Sequence, residues 1–120
     1  PGGSVANLLQ TFGSLDEECI CAYTRQILLG LQYLHAHNVI HRDLKPGNIL
    51  VDTAGNAKIS DFGCSKQGDD LGAARSLVGT PNYMAPEVLR SKTGEYTFSA
   101  DLWSLGMTVI EMATADVPFS

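Results

Sequence analysis

The sequence has no cluster of basic side chains, no long apolar run and no even set of cysteines. Each absence removes a class of protein. Eight Lys and Arg stand against 13 Asp and Glu, a net charge of −5 with no basic stripe, which speaks against a nucleic-acid partner. Apolar runs such as Ile27-Leu28-Leu29 and Thr108-Val109-Ile110 fall far below the ~20 residues a membrane span needs, so no membrane partner is expected. Cys19, Cys21 and Cys64 make an odd count, which argues against a closed disulfide framework and fits a reducing, cytoplasmic compartment. The pairs Cys19/Cys21 and His35/His37 are each spaced i,i+2, which on a helix sends side chains to nearly opposite faces. They read as small apolar cysteines and surface histidines, not as a metal site. Twelve glycines and five prolines follow no period of three, which excludes collagen, and 44 % hydrophobic residues exclude disorder. The chain starts Pro1-Gly2-Gly3, without an initiator Met or an apolar leader, so it is expected to be a piece of a longer protein.

The local patterns predict a mainly helical α+β chain with one short β-hairpin. Ser4 reads as the N-cap of a short helix that Gly13 ends. Ser14-Leu15-Asp16-Glu17 reads as a capping box. Behind it Ile20, Tyr23, Ile27, Leu31 and Leu34 keep a helical period, and Gly30 marks close packing. Short strand-like runs at 49–51 and 58–60 flank a turn-forming stretch and predict the hairpin. Residues 64–80 are rich in Gly, Ser and Asp, the composition of a functional or disordered loop. Pro86 opens a short helix. Ser99 reads as the cap of a last helix running to about Thr114, with Leu102, Leu105, Val109 and Met112 on one stripe and Trp103, Met107 and Ile110 on other faces. A helix apolar nearly all round needs neighbours on every side, and few are supplied here.

Four motifs then follow in order: His41-Arg42-Asp43-Leu44-Lys45-Pro46-Gly47-Asn48, Asp61-Phe62-Gly63, Gly79-Thr80-Pro81 and Ala85-Pro86-Glu87. Any three-residue motif alone is weak, but this order, with a hairpin between the first two, is specific. The sequence resembles the catalytic, C-terminal lobe of a eukaryotic protein kinase over its whole length. Pro1 to Leu9, Phe12-Gly13, Tyr23-Thr24-Arg25-Gln26-Ile27-Leu28 and the stretch from Gly79 to Glu87 are similar to the MAP kinase kinase kinase group.

The resemblance implies a kinase-like fold in which residues 1–120 form part of the domain: hinge end, catalytic loop, activation segment and the buried helix after it. The N-lobe, with its Gly-rich loop and its phosphate-gripping Lys, and the C-terminal helices are not among these residues, so the isolated chain is expected to be inactive. It implies ATP and Mg²⁺ as cofactors and a protein substrate, a MAP kinase kinase, phosphorylated on Ser or Thr. Asp43 would accept or orient the proton of the attacking hydroxyl, and Lys45 would face the transferring phosphate. Asn48 and Asp61 would supply hard oxygen ligands to Mg²⁺. Thr80 would hydrogen-bond Asp43 and Lys45. Gly3 and Ser4 resemble the end of the hinge, with Ser4 near the ribose, and Leu50 resembles the floor under the adenine. Arg42 would grip a phosphorylated residue of the activation loop, for which Ser76 is the candidate beside Ser65. His41 and Asp101 would anchor the catalytic loop, Phe62 would pack between lobes, and Glu87 would be a partly buried acid whose Arg partner lies beyond this stretch. Cys64 reads as a small apolar residue. Three other readings stand beside this one: a non-catalytic binding or interfering fragment, a Ser/Thr kinase outside that group, and a small-molecule phosphotransferase. The Gly79–Glu87 stretch, which shapes a peptide-docking surface in the family, speaks against the last.

Overall fold

The computed structural model describes residues 3–60, 66–67, 80–91 and 96–119. Helix α1 spans Val5–Phe12. Ser4 caps it as expected. Its hydroxyl accepts the Asn7 N–H at 3.2 Å, while the Asn7 side-chain oxygen accepts the Ser4 N–H at 2.9 Å, so Asn takes the place of the usual Glu in the capping box. Gly3 stands at φ 78°, and a Cβ there would lie 2.8 Å from Asn7 Oδ1, so only glycine fits without displacing the cap.

Helix α2 spans Glu17–Ala36 and corrects one expectation. Its N-cap is Asp16, whose carboxylate accepts the Cys19 N–H at 2.8 Å, not Ser14. The Leu15 N–H, just before this cap, donates to the Met112 carbonyl at 2.8 Å. Tyr23, Ile27 and Leu31 are buried, and Ile20 and Leu34 pack beside them. A Cβ on Gly30 would sit 3.2 Å from Ile59 Cδ1, the close approach its presence in a helix suggests. Burial pushes the Tyr23 phenol above its ordinary value.

Strand β1, Val39–Ile40, has no counterpart in the sequence pattern. It pairs antiparallel with β4, Lys66–Gln67, two residues of a partner far along the chain. Strands β2 (Ile49–Val51) and β3 (Ala57–Ile59) form the expected hairpin, with β3 starting one residue early. The Ala57 N–H is held by the Gln26 side chain at 2.6 Å, and the Asp52 carboxylate accepts the Ala54 and Asn56 N–H groups, both at 2.9 Å, which sets where the turn ends. The bonds from Asn56, then that from Ala54, hold the Asp52 carboxyl below its ordinary value. The hairpin is fastened to the front of α1: the Val51 N–H donates to Gly3 O at 2.8 Å, and Ser4 bridges Leu50.

After a short 3₁₀ turn at Pro81–Tyr83, helix α3 spans Pro86–Arg90 and α4 spans Phe98–Thr114. The N-cap of α4 is Thr97, two residues before the expected Ser99, which lies in the first turn with its hydroxyl 2.8 Å from that of Thr97. Few neighbours surround α4, as its sequence implies, and apolar side chains on it stay uncovered. Its buried face carries Asp101, Ser104, Thr108 and Glu111 beside Leu105 and Met112, while Leu102, Trp103 and Ile110 face outward, 36–49 % exposed. The polar side chains are inside because each finds a partner there: the Ser104 hydroxyl donates to the Tyr83 carbonyl at 2.6 Å and that of Thr108 to Ser104 O at 3.0 Å. Among the described residues no helix is long and apolar enough to cross a membrane.

Two apolar clusters result. One joins α1, α2, the hairpin and α4 around Ile27, Leu31, Leu44, Ile49 and Met112. The other joins β1, α3 and the start of α4 around Ile40, Met84, Val88 and Ala100. Ile40 belongs to the second and Leu44 to the first, so the three residues between them, His41, Arg42 and Asp43, span the two clusters.

Candidate active site

The segment from His41 to Asp43 is held in an unfavourable conformation. Arg42 stands at φ 76°, in the left-handed region that non-glycine residues avoid. Asp101, 1 % exposed in the first turn of α4, stabilises it. Its two oxygens accept the His41 N–H at 2.9 Å and the Arg42 N–H at 3.1 Å, so two successive amides converge on one carboxylate. His35 Nε2 lies 2.9 Å from the same carboxylate. His35 is therefore a half-buried partner of the loop and not the surface histidine expected. His37 is exposed and bonds the Tyr33 carbonyl.

His41 anchors the loop as expected. The Asp43 N–H donates to its Nδ1 at 3.1 Å, and its Nε2 lies 2.7 Å from Ser60 O. Accepting at one nitrogen and donating at the other suits a neutral ring with the proton on Nε2. Both ring nitrogens are engaged by the loop backbone, so the ring is a strut that ties Asp43 to Ser60.

Downstream of this strut the expected residues converge. The Thr80 hydroxyl donates to Asp43 Oδ1 at 3.1 Å and accepts from Lys45 Nζ at 2.8 Å, and Lys45 Nζ lies 3.9 Å from Asp43 Oδ2. The Asn48 side-chain amide donates to the Asp43 backbone carbonyl at 2.7 Å and reaches Asp43 Oδ2 at 3.3 Å. A carboxylate, an ammonium group and the hydroxyl that joins them therefore share one surface. The arrangement can orient a hydroxyl nucleophile and neutralise charge beside it. An open pocket of about 500 Å³ adjoins Lys45 and Thr80, walled by Leu9, Gln10, Tyr83 and Glu111.

The hairpin brings Gly3, Ser4 and Leu50 together at its other side, with the Leu50 side chain 47 % exposed. Arg42 is buried, and among the described residues its Nε and Nη1 have no hydrogen-bond partner. Asp61, Phe62, Cys64, Ser65 and Ser76 lie outside the described residues. Glu87, expected to be partly buried, is exposed on the short α3 within the described residues.

Sequence reasoning missed the pair Tyr83–Glu111. The Tyr83 hydroxyl donates to Glu111 Oε1, and both side chains are buried. The available signal was a polar stripe within α4, Asp101, Ser104, Thr108 and Glu111, at helical spacing. Burial, then the bond to Glu111 and its charge, push the Tyr83 phenol above its ordinary value. Folding therefore favours the neutral phenol. The stability this provides is fully present below the unfolded-state value near pH ~10 and is lost as pH rises above it. In urea titrations from about pH 9 to 11, Tyr83→Phe is expected to lose stability less steeply than wild type, by about 1.4 kcal/mol per pH unit above pH ~10. Parallel slopes would remove Tyr83 from the account of alkaline unfolding.

Residues 1–120 match the protein kinase domain family. The chain is similar to mitogen-activated protein kinase kinase kinase ANP1 of Arabidopsis thaliana, 54 % identical over 123 residues that cover 100 % of this chain and 18 % of that protein. Mitogen-activated protein kinase kinase kinase A of Dictyostelium discoideum is 52 % identical over 121 residues, covering 100 % and 13 %. Mitogen-activated protein kinase kinase kinase YODA of Arabidopsis thaliana is 49 % identical over 119 residues, covering 99 % and 13 %. The chain thus spans less than a fifth of the length of these relatives. The strained loop, its Asp–Thr–Lys cluster and a match along every residue lead to one conclusion: the chain belongs to the protein kinase domain family.

Proposed function

We propose that the chain is the catalytic-loop part, from the C-terminal lobe, of a Ser/Thr protein kinase that transfers the γ-phosphate of ATP to a MAP kinase kinase. The observation that carries this reading is the Thr80 hydroxyl between Lys45 and Asp43. In phosphoryl transfer the protein contributes mainly positioning and electrostatics. Asp43 orients the acceptor hydroxyl and takes its proton as the oxygen attacks. Lys45 offsets the charge on the transferring group, and Thr80 holds both side chains in register. Residues around the adjoining pocket, Gln10 and Asn82 among them, offer a surface for the protein acceptor.

Gly3, Ser4 and Leu50 are assigned to the nucleotide. Asn48 and Asp61 are assigned to Mg²⁺. Asn48 suits a hard cation because it is buried and its amide nitrogen is already spent on Asp43, which leaves a carbonyl oxygen to coordinate. When bound with ATP, the ion would neutralise phosphate charge. Arg42 is assigned to the phosphate of a phosphorylated activation segment, with Ser76 as its candidate source. Its buried, unpaired N–H groups support an anion there. The names of the similar kinases support a MAP kinase kinase as substrate, and the odd number of cysteines supports the cytoplasm as its compartment. The test is transfer from labelled ATP by the full-length protein to peptides that differ only in carrying Ser, Thr or Tyr, and to an inactive MAP kinase kinase. Label on Ser and Thr and on that protein is expected. Label on Tyr alone, or on no protein, would overturn the reading.

A further inference from the structure

We propose that Tyr96 is a positioning residue for Arg42, and that its ring holds the guanidinium so that the buried N–H groups are presented to a phosphate-type dianion. The proposal rests on the reading of Arg42 as an anion socket. Arg42 is 5 % exposed, and among the described residues no carboxylate lies within ion-pair distance of it. A buried cation without a counter-ion is costly, and burial of unpaired N–H groups adds to the cost. Among the described residues the Arg42 guanidinium meets an aromatic ring: its Cζ lies 5.3 Å from the centroid of the Tyr96 ring.

A ring does something here that an acid cannot. It attracts the cation through its π face without occupying a hydrogen-bond donor, so Nε and Nη1 stay available. An Asp or Glu in that place would pair with the donors and compete with an incoming anion. Both ends of the arrangement are fixed. The Arg42 backbone is clamped to Asp101, and Tyr96, 6 % exposed, is packed into the cluster of Ile40, Met84 and Val88. The guanidinium is thus oriented before an anion arrives, which lowers the ordering cost of binding it.

The experiment measures, in the full-length protein, the ratio of kcat in the phosphorylated state to that after phosphatase treatment. Arg42→Gln is expected to bring this ratio close to one. Tyr96→Phe keeps the ring and should keep the wild-type ratio. Tyr96→Leu should reduce the ratio about 3- to 30-fold. Should Tyr96→Leu fail to fold, Tyr96→Met, which fills similar volume without a π face, carries the same expectation. A wild-type ratio in Tyr96→Leu or Tyr96→Met beside a flat Arg42→Gln overturns the role of Tyr96 and leaves the socket standing. A wild-type ratio in Arg42→Gln overturns the socket itself. A loss in Tyr96→Phe equal to that in Tyr96→Leu overturns the ring as the acting group. Inorganic phosphate added to the dephosphorylated protein separates the sources of the dianion. Stimulation that is retained in Tyr96→Phe and lost in Tyr96→Leu supports the socket with a free anion. A response to phosphorylation alone, with the same dependence on the ring, supports it with a covalently attached phosphate.

Discussion

Asp43→Asn in the full-length protein is expected to lower kcat for phosphate transfer by about 10²- to 10⁴-fold, the usual contribution of a positioned general base. The substitution keeps volume and one acceptor oxygen, so the Thr80 hydroxyl can still donate as it does to Asp43 Oδ1. The other oxygen is the critical one. It faces the Asn48 amide at 3.3 Å and Lys45 Nζ at 3.9 Å, and an amide nitrogen in its place would set donor against donor. The variant loses both basicity and local register. Its unfolding midpoint should move little, because the substitution keeps the volume of Asp43 and its backbone contacts to His41 and Asn48. Steady-state kinetics beside a denaturant titration check both parts. Near-normal kcat in a folded Asp43→Asn protein would remove Asp43 from the chemistry.

Asp101→Ala is expected to be the most damaging substitution to the fold. The carboxylate accepts from His41 N, Arg42 N and His35 Nε2 with 1 % exposure. Its removal leaves two buried amides unpaired at about 1–3 kcal/mol each, a total of about 2–6 kcal/mol, part of which relaxation of the backbone at φ 76° offsets. Activity should fall with stability, since Asp43 directly follows the clamped pair. Asp101→Asn, which keeps one acceptor, should lie between. Chemical denaturation of the three proteins measures the order, and an Asp101→Ala protein within about 1 kcal/mol of wild type would contradict the clamp.

Much of this was legible in the sequence where the cause is local. The Ser4 cap, the apolar stripe of α2, the turn of the hairpin and the order of the motifs depend on near neighbours. The convergence of Asp43, Lys45 and Thr80, and the anchoring by His41 and Asp101, came from the family resemblance. What could not be read is non-local. The Leu15 N–H, beside the observed cap Asp16, bonds Met112 at the far end of the chain. Val39–Ile40 become a strand only because Lys66–Gln67 lie beside them. In α4 the uncovered apolar faces at Leu102 and Ile110 follow from the scarcity of neighbours, whereas the burial of its polar stripe depends on distant partners such as Tyr83. His35 looked like a surface residue for the same reason: nothing near it in sequence announces Asp101.

The central claim is that Lys45, Thr80 and Asp43 act as one unit. A double-mutant cycle on kcat with Lys45→Met and Thr80→Val tests it directly. If the hydroxyl works by holding Lys45 to Asp43, the double variant should be little slower than the worse single one, with a coupling of at least about 1 kcal/mol. Rate losses that simply multiply would contradict the account.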